Sequence, residues 1–154
     1  MSRRDYDGML EHARRGHPFE VCGALLGQAS QDEVRIEGVL PMENREHASP
    51  RTRYVIAPED LLAAQRDARG RGLEIVGYYH SHPDHPARPS ETDRRVAAEG
   101  ISDGVVHVVV SVDGQGNTEA TAWVFRDALQ AFQALSLAVE ARARDPKRGE
   151  DAWR

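Results

Sequence analysis

Apolar positions along this chain recur at two periods. Tyr6, Met9, Leu10 and Ala13 fall at i, i+3, i+4 and i+7 with Gly16 at a stop position, so residues 5–15 are predicted as an amphipathic helix. His17 and Pro18 break it. The run VCGALLG, Val21 to Gly27, is apolar and bounded by turn residues, the pattern of a buried strand, and Val34, Ile36, Gly38 and Leu40 alternate as a second. A turn-rich stretch from Glu43 to Thr52 follows, then Arg53 to Ile56 as a short strand. Pro58 with Glu59 and Asp60 opens a second helix, continued by Leu61, Leu62, Gln65 and Ala68 to Gly70 or Gly72.

The second half repeats the mixture. Leu73 to Tyr79 (LEIVGYY) returns as a strand that runs into HSHPDHPARPSETD, and Ser90 opens a third helix reaching Gly100. Val105 to Val112 and Ala120 to Phe125 are strands joined by DGQGN, an Asp-Gly hairpin signal. Residues 128–140 carry both helix-forming residues and the strand-like alternation Leu135, Leu137, Val139. Strands interspersed with three helices predict an α/β layered domain. Its expected extent is residues 1–144, with 145–154 (DPKRGEDAWR) as a polar tail.

Composition narrows the function. With 154 residues, 40% of them hydrophobic and 29% charged, the chain suits one domain able to bury roughly 70% of its extended surface. No run approaches the ~18 apolar residues of a membrane helix, and MSRRDYDGML lacks a secretory apolar region. The expectation is a cytoplasmic protein without a membrane partner. A formal charge of -5 gives no global basic field for nucleic acid. The single cysteine, Cys22, excludes an intrachain disulfide and a multi-cysteine zinc cage.

The segment after LEIVGYY carries the candidate chemistry. His80 and His82 stand two apart at a strand end, where a period of two puts both imidazoles on one face and Ser81 on the other. Asp93, three residues past Ser90 at a helix start, is able to turn its carboxylate back toward them. Two neutral imidazoles and one carboxylate leave the fourth tetrahedral corner of a zinc ion to water, the mark of a catalytic rather than a structural site. Glu20, just before a buried strand, suits a general base.

Plainer readings exist for each residue. His-x-His is more often surface polarity, and Ser90-x-x-Asp93 has the form of a helix capping box. His85 reads as a solvent-facing loop residue or a ligand, and His107, within VVHVVV, as a hydrogen-bonded core residue. His12, His17 and His47 read as surface groups, and Cys22 as buried packing, a nucleophile or a fourth ligand.

The spacing His80-x-His82, seven residues, Ser90, two residues, Asp93 matches the His-x-His-x(7)-Ser-x(2)-Asp signature of the JAMM (MPN+, Mov34/MPN/PAD-1) metalloproteases, and PFEVCGALLG resembles that family's glutamate-bearing segment. The stretch from Pro41 through Asn44 to the helix opened by Pro58 resembles bacterial members, so the resemblance covers about residues 5–126. It implies a curved mixed β-sheet flanked by helices, of cytidine-deaminase-like architecture, with Leu135 to Val139 as a terminal strand. It also implies one Zn2+ held by His80, His82 and Asp93, with Glu20 polarising the attacking water and Ser90 hydrogen-bonding the oxyanion.

Prokaryotic relatives of this size are similar to peptidases that cut after the C-terminal Gly-Gly of a ubiquitin-like or sulfur-carrier protein, and that is the function the resemblance implies. A zinc amidohydrolase of small molecules or short peptides is the alternative. A non-catalytic interaction module whose zinc orders the HSHP loop is a third reading. The sequence sets no oligomeric state.

Overall fold

The computed structural model describes residues 1–100 and 103–141. The expected tail over 145–154 lies outside them. Helix α1 (Arg3–Gly16) is followed by strands β1 (Cys22–Ala29) and β2 (Val34–Met42), helix α2 (Pro58–Gly70) and strand β3 (Glu74–Pro83). Helix α3 (Glu91–Glu99), strands β4 (Val106–Val112) and β5 (Thr118–Arg126), a 3-10 turn (Asp127–Leu129) and strand β6 (Ala131–Leu135) complete the order.

The strands form one mixed sheet in the order β2-β1-β3-β4-β5-β6. Every neighbouring pair is antiparallel except β3 and β4, which run parallel because α3 crosses over between them. β3 is therefore central, bonded by β1 on one side and β4 on the other. At Gly77 this parallel pair comes so close that a Cβ would strike the Val106 carbonyl oxygen.

Alternation divides the core between the two faces. On one, α1 buries Met9, Leu10 and Ala13 against Leu25, Ile36, Val76, Tyr79 and the alternate valines Val106, Val108, Val110 and Val112. On the other, α2 covers β1 and β3 around Ala24, Leu26 and Ala68, while α3 lies toward β5 and β6. The gap between α2 and α3 leaves part of this second face uncovered. No helix among the described residues is long and apolar enough to cross a membrane.

Two elements differ from the sequence expectations. Arg53 to Ile56 is not a strand. The Asn44 amide satisfies its backbone instead, with Nδ2 donating to the Arg53 carbonyl and Oδ1 accepting from the Val55 N–H. The terminal strand is Ala131–Leu135 rather than Leu135 to Val139, because a turn with Gln130 left-handed (φ 49°) reverses the chain as soon as β5 ends. Beyond it Leu137 packs on the α1-side core, and the amino terminus donates to the Ala138 carbonyl.

Leu25 is fully buried on the α1 side, whereas Val96 is 64% exposed on α3. Leu25→Ala should cost about 2–5 kcal/mol of stability in urea unfolding, and Val96→Ala less than about 0.5 kcal/mol.

Candidate metal centre

The site is built where β3 runs out toward α3. His80 and His82 sit on the same face of β3 and are buried, with backbones held in register by Cys22 and Val109 for His80 and by Ser111 for His82. Ser81 faces the other way, as the alternation requires. Its Oγ accepts from the Val21 N–H at 2.9 Å and its own N–H donates to the Val21 carbonyl at 2.9 Å. That pair of bonds ties the strand of the two histidines to the residue next to Glu20.

Asp93 enters from the first turn of α3. Ser90 is the N-cap: its Oγ accepts from the Asp93 N–H at 3.1 Å, while its N–H and its hydroxyl both donate to Asp93 Oδ2, at 2.6 and 2.8 Å. The expected capping box is present, and its second half is the candidate ligand itself. The cap thus also aims the candidate ligand's carboxylate at the histidines.

The donor atoms converge. His80 Nε2 and His82 Nε2 lie 3.0 Å apart, His80 Nε2 lies 3.3 Å from Asp93 Oδ1, and His82 Nε2 lies 3.2 Å from Asp93 Oδ2. Ligands ~2.0–2.1 Å from a tetrahedral zinc would stand ~3.3 Å from one another, so the donor set fits such an ion. Among the described residues these three form the cluster able to hold a metal. The remaining nitrogen of His82, Nδ1, is 3.1 Å from the Pro86 carbonyl, a bond that leaves Nε2 free to coordinate.

The groups titrate as a coupled set. Burial lowers His80 and keeps it neutral, against the opposing hydrogen bond and charge of Asp93. His82 feels the same burial, but Asp93, the Pro86 carbonyl and Glu20 outweigh it and raise it. Burial alone would raise Asp93, yet hydrogen bonds from His80, His82 and Ser90 hold it far below the usual carboxylate range.

Glu20 is 6% exposed, with its N–H donating to the Pro50 carbonyl at 2.8 Å and its carbonyl accepting from Asn44 Nδ2 at 3.0 Å. Burial pushes its carboxyl up to about 8; Asp93 adds to the rise and His82 opposes it. A carboxyl so desolvated beside a donor cluster has the perturbed affinity of a proton carrier.

A cleft of about 650 Å3 opens beside Asp93, between the Thr52–Ile56 segment and α3, with Tyr78 and His107 among its lining. His107 departs from its sequence reading: it is only half-buried, its buried Nε2 has no hydrogen-bond partner among the described residues, and its ring meets Phe132 edge-on. His12 and His17 are likewise not simply surface groups. His12 Nδ1 is 2.7 Å from the Tyr79 hydroxyl, and His17 Nε2 is 3.0 Å from Asp84. His47 and His85 are exposed. Cys22 is buried, its thiol pushed up to about 12 by burial and then by Glu20 and Asp60, which suits packing rather than nucleophilic attack.

Sequence reasoning missed Tyr54. Its ring stacks on His80, centroids 4.8 Å apart and planes 24° apart, and burial together with Asp93 holds its hydroxyl well above the usual phenol range. Nothing in the string RTRYVIAP marks this tyrosine, which reached the site through the irregular path set by Asn44.

The family model for prokaryotic homologs of the JAB domain matches residues 2–126. The chain is 36% identical over 138 residues to the desampylase of Haloferax volcanii, covering 87% of this chain and 91% of that protein. It is 33% identical over 116 residues to a probable TtuB-protein conjugate cleaving protease of Thermus thermophilus, covering 71% and 75%. The solution structure of protein DSY2949 from Desulfitobacterium hafniense superposes with a TM-score of 0.78 at 27% identity, over 94% of this chain and 96% of that one.

Glu20 gives a pH signature in the metal-free protein. Between its ordinary value of 4.5 and about 8 the folded chain keeps a proton that the unfolded chain has lost, so Glu20 makes stability fall as pH rises through that window. Glu20→Gln should remove that part of the slope and gain about 3 kcal/mol at pH 8 relative to pH 5 in urea unfolding with chelator present. Parallel pH profiles for the two proteins would contradict it.

Proposed function

This chain belongs to the prokaryotic homologs of the JAB domain, and from that premise we propose that it is a zinc-dependent metallopeptidase. Its substrate in this reading is a ubiquitin-like or sulfur-carrier protein, cut at the peptide or isopeptide bond after the C-terminal Gly-Gly. One observation carries the reading: two imidazoles and a carboxylate converge, the carboxylate also lining a cleft, and the carboxyl of buried Glu20 feels the charges of His82 and Asp93. The names of the relatives, a desampylase and a conjugate-cleaving protease, support the same chemistry. A cytoplasmic setting belongs to the proposal.

His80, His82 and Asp93 would hold the zinc, which when bound supplies Lewis-acid chemistry, polarising the scissile carbonyl and lowering the pKa of a water to ~7. Two neutral imidazoles and one carboxylate leave the site a residual positive charge, which favours the carboxylate form of Glu20. Glu20 takes the proton of the attacking water on its carboxylate and passes it to the nitrogen of the departing amine. Ser90 Oγ stays anchored by the Asp93 N–H while its proton swings from Asp93 Oδ2 to the developing oxyanion. The Ser90 N–H meanwhile keeps its hold on the ligand carboxylate.

The cleft suits an extended tail. Val55, 48% exposed, and Val96 flank it, and glycines at the tail end present no side chain to its walls as they approach the ligands. Its volume of about 650 Å3 also falls within the ~300–1,000 Å3 of small-molecule pockets, which keeps a zinc amidohydrolase as the second reading. Among the described residues three protein donors converge rather than four, which speaks against a zinc that merely orders a loop.

Purified protein should contain about one zinc per chain and release the extension from a Gly-Gly-tailed carrier fusion, read by intact mass. Glu20→Gln should retain the metal and lose about 10²–10⁴-fold in rate. Turnover of small amides in preference to the fusion would favour the second reading. Activity surviving Glu20→Gln or thorough chelation would overturn the mechanism.

A further inference from the structure

The two histidine ligands are held by different means. His82 is fixed through its far nitrogen by the Pro86 carbonyl at 3.1 Å. His80 instead carries an aromatic ring on its face: the Tyr54 ring lies 4.8 Å away and 24° from parallel. We propose that Tyr54 is a positioning residue for the metal, its ring setting the plane of the His80 imidazole so that Nε2 faces His82 and Asp93. This rests on the reading of His80, His82 and Asp93 as the zinc ligands.

The backbone around Tyr54 is organised for that task. Asn44 Nδ2 donates to the Arg53 carbonyl at 3.0 Å, Asn44 Oδ1 accepts from the Val55 N–H at 3.1 Å, and the Arg45 N–H donates to the Val55 carbonyl at 2.8 Å. The residues on both sides of Tyr54 are thereby pinned in a segment that belongs to no strand. The same Asn44 Nδ2 also donates to the Glu20 carbonyl at 3.0 Å. One amide thus connects the glutamate's backbone to the tyrosine that faces the ligand. Stacking needs the ring and not the hydroxyl, and among the described residues that hydroxyl has no hydrogen-bond partner.

An orienting partner of a metal-bound histidine is worth about 10–100-fold in metal affinity. Zinc affinity, read by competition with a chromogenic chelator, should stay within about threefold of the parent in Tyr54→Phe and weaken by about 10–100-fold in Tyr54→Leu, with the metal-free circular dichroism and unfolding midpoint unchanged. If Tyr54→Leu fails to fold, Asn44→Ser, which removes the two side-chain bonds to the segment while keeping the ring, should weaken zinc binding in the same direction. Parental affinity in Tyr54→Leu, or in Asn44→Ser where Tyr54→Leu does not fold, overturns the inference. Equal losses in the Phe and Leu variants overturn it too, because the hydroxyl would then be what matters. A parent chain that binds no zinc would instead refute the metal site itself.

Discussion

A central strand bonded on both sides holds His80 and His82 on one face, and the rest of the site depends on that constraint. A strand at the sheet edge could twist or slip, but β3 is locked between antiparallel β1 and parallel β4, in register through Pro83 with β4. A one-residue slip would turn both imidazoles toward α1 and bring Ser81 into their place. Register is specified because both faces of β3 are buried, with Tyr79 and Ser81 on one side and His80 and His82 on the other.

The third donor reaches the same point from a helix rather than a strand, and local capping chemistry directs it. The orphan N–H groups at the start of α3 need acceptors, and Ser90 and Asp93 satisfy them reciprocally. The Asp93 carboxylate cannot leave the histidines without also giving up its half of the capping box. Glu20 is fastened by the same economy: Ser81 bonds the backbone of Val21, and Asn44 bonds the carbonyl of Glu20. Residues pointing away from the site, or lying in loops beside it, thus set where the reactive groups stand.

Much of this was legible in the sequence, because the decisive features are local. The period of two at His80 and His82, the Ser90 to Asp93 cap, the apolar run after Glu20 and the Pro58 helix start all follow from near neighbours in the chain. What was not legible depends on distant contacts. Arg53 to Ile56 has strand-like residues, yet the side chain of Asn44, nine residues back from Arg53, claims its backbone. The position of the last strand was fixed by how soon the chain could reverse after β5, and the alternation of Leu135, Leu137 and Val139 gives no hint of that. His107 was read as a satisfied core group, but the gap between α2 and α3 leaves it in the cleft wall, and periodicity does not reveal which part of a sheet face the helices leave bare.

The three-donor site is tested most directly by zinc K-edge X-ray absorption on the purified protein. His80, His82 and Asp93 with an open corner predict only nitrogen and oxygen neighbours at ~2.0–2.2 Å, two of them imidazole. A sulfur neighbour at ~2.3 Å, which Cys22 alone in this chain could supply as a thiolate, or a third imidazole, would contradict it.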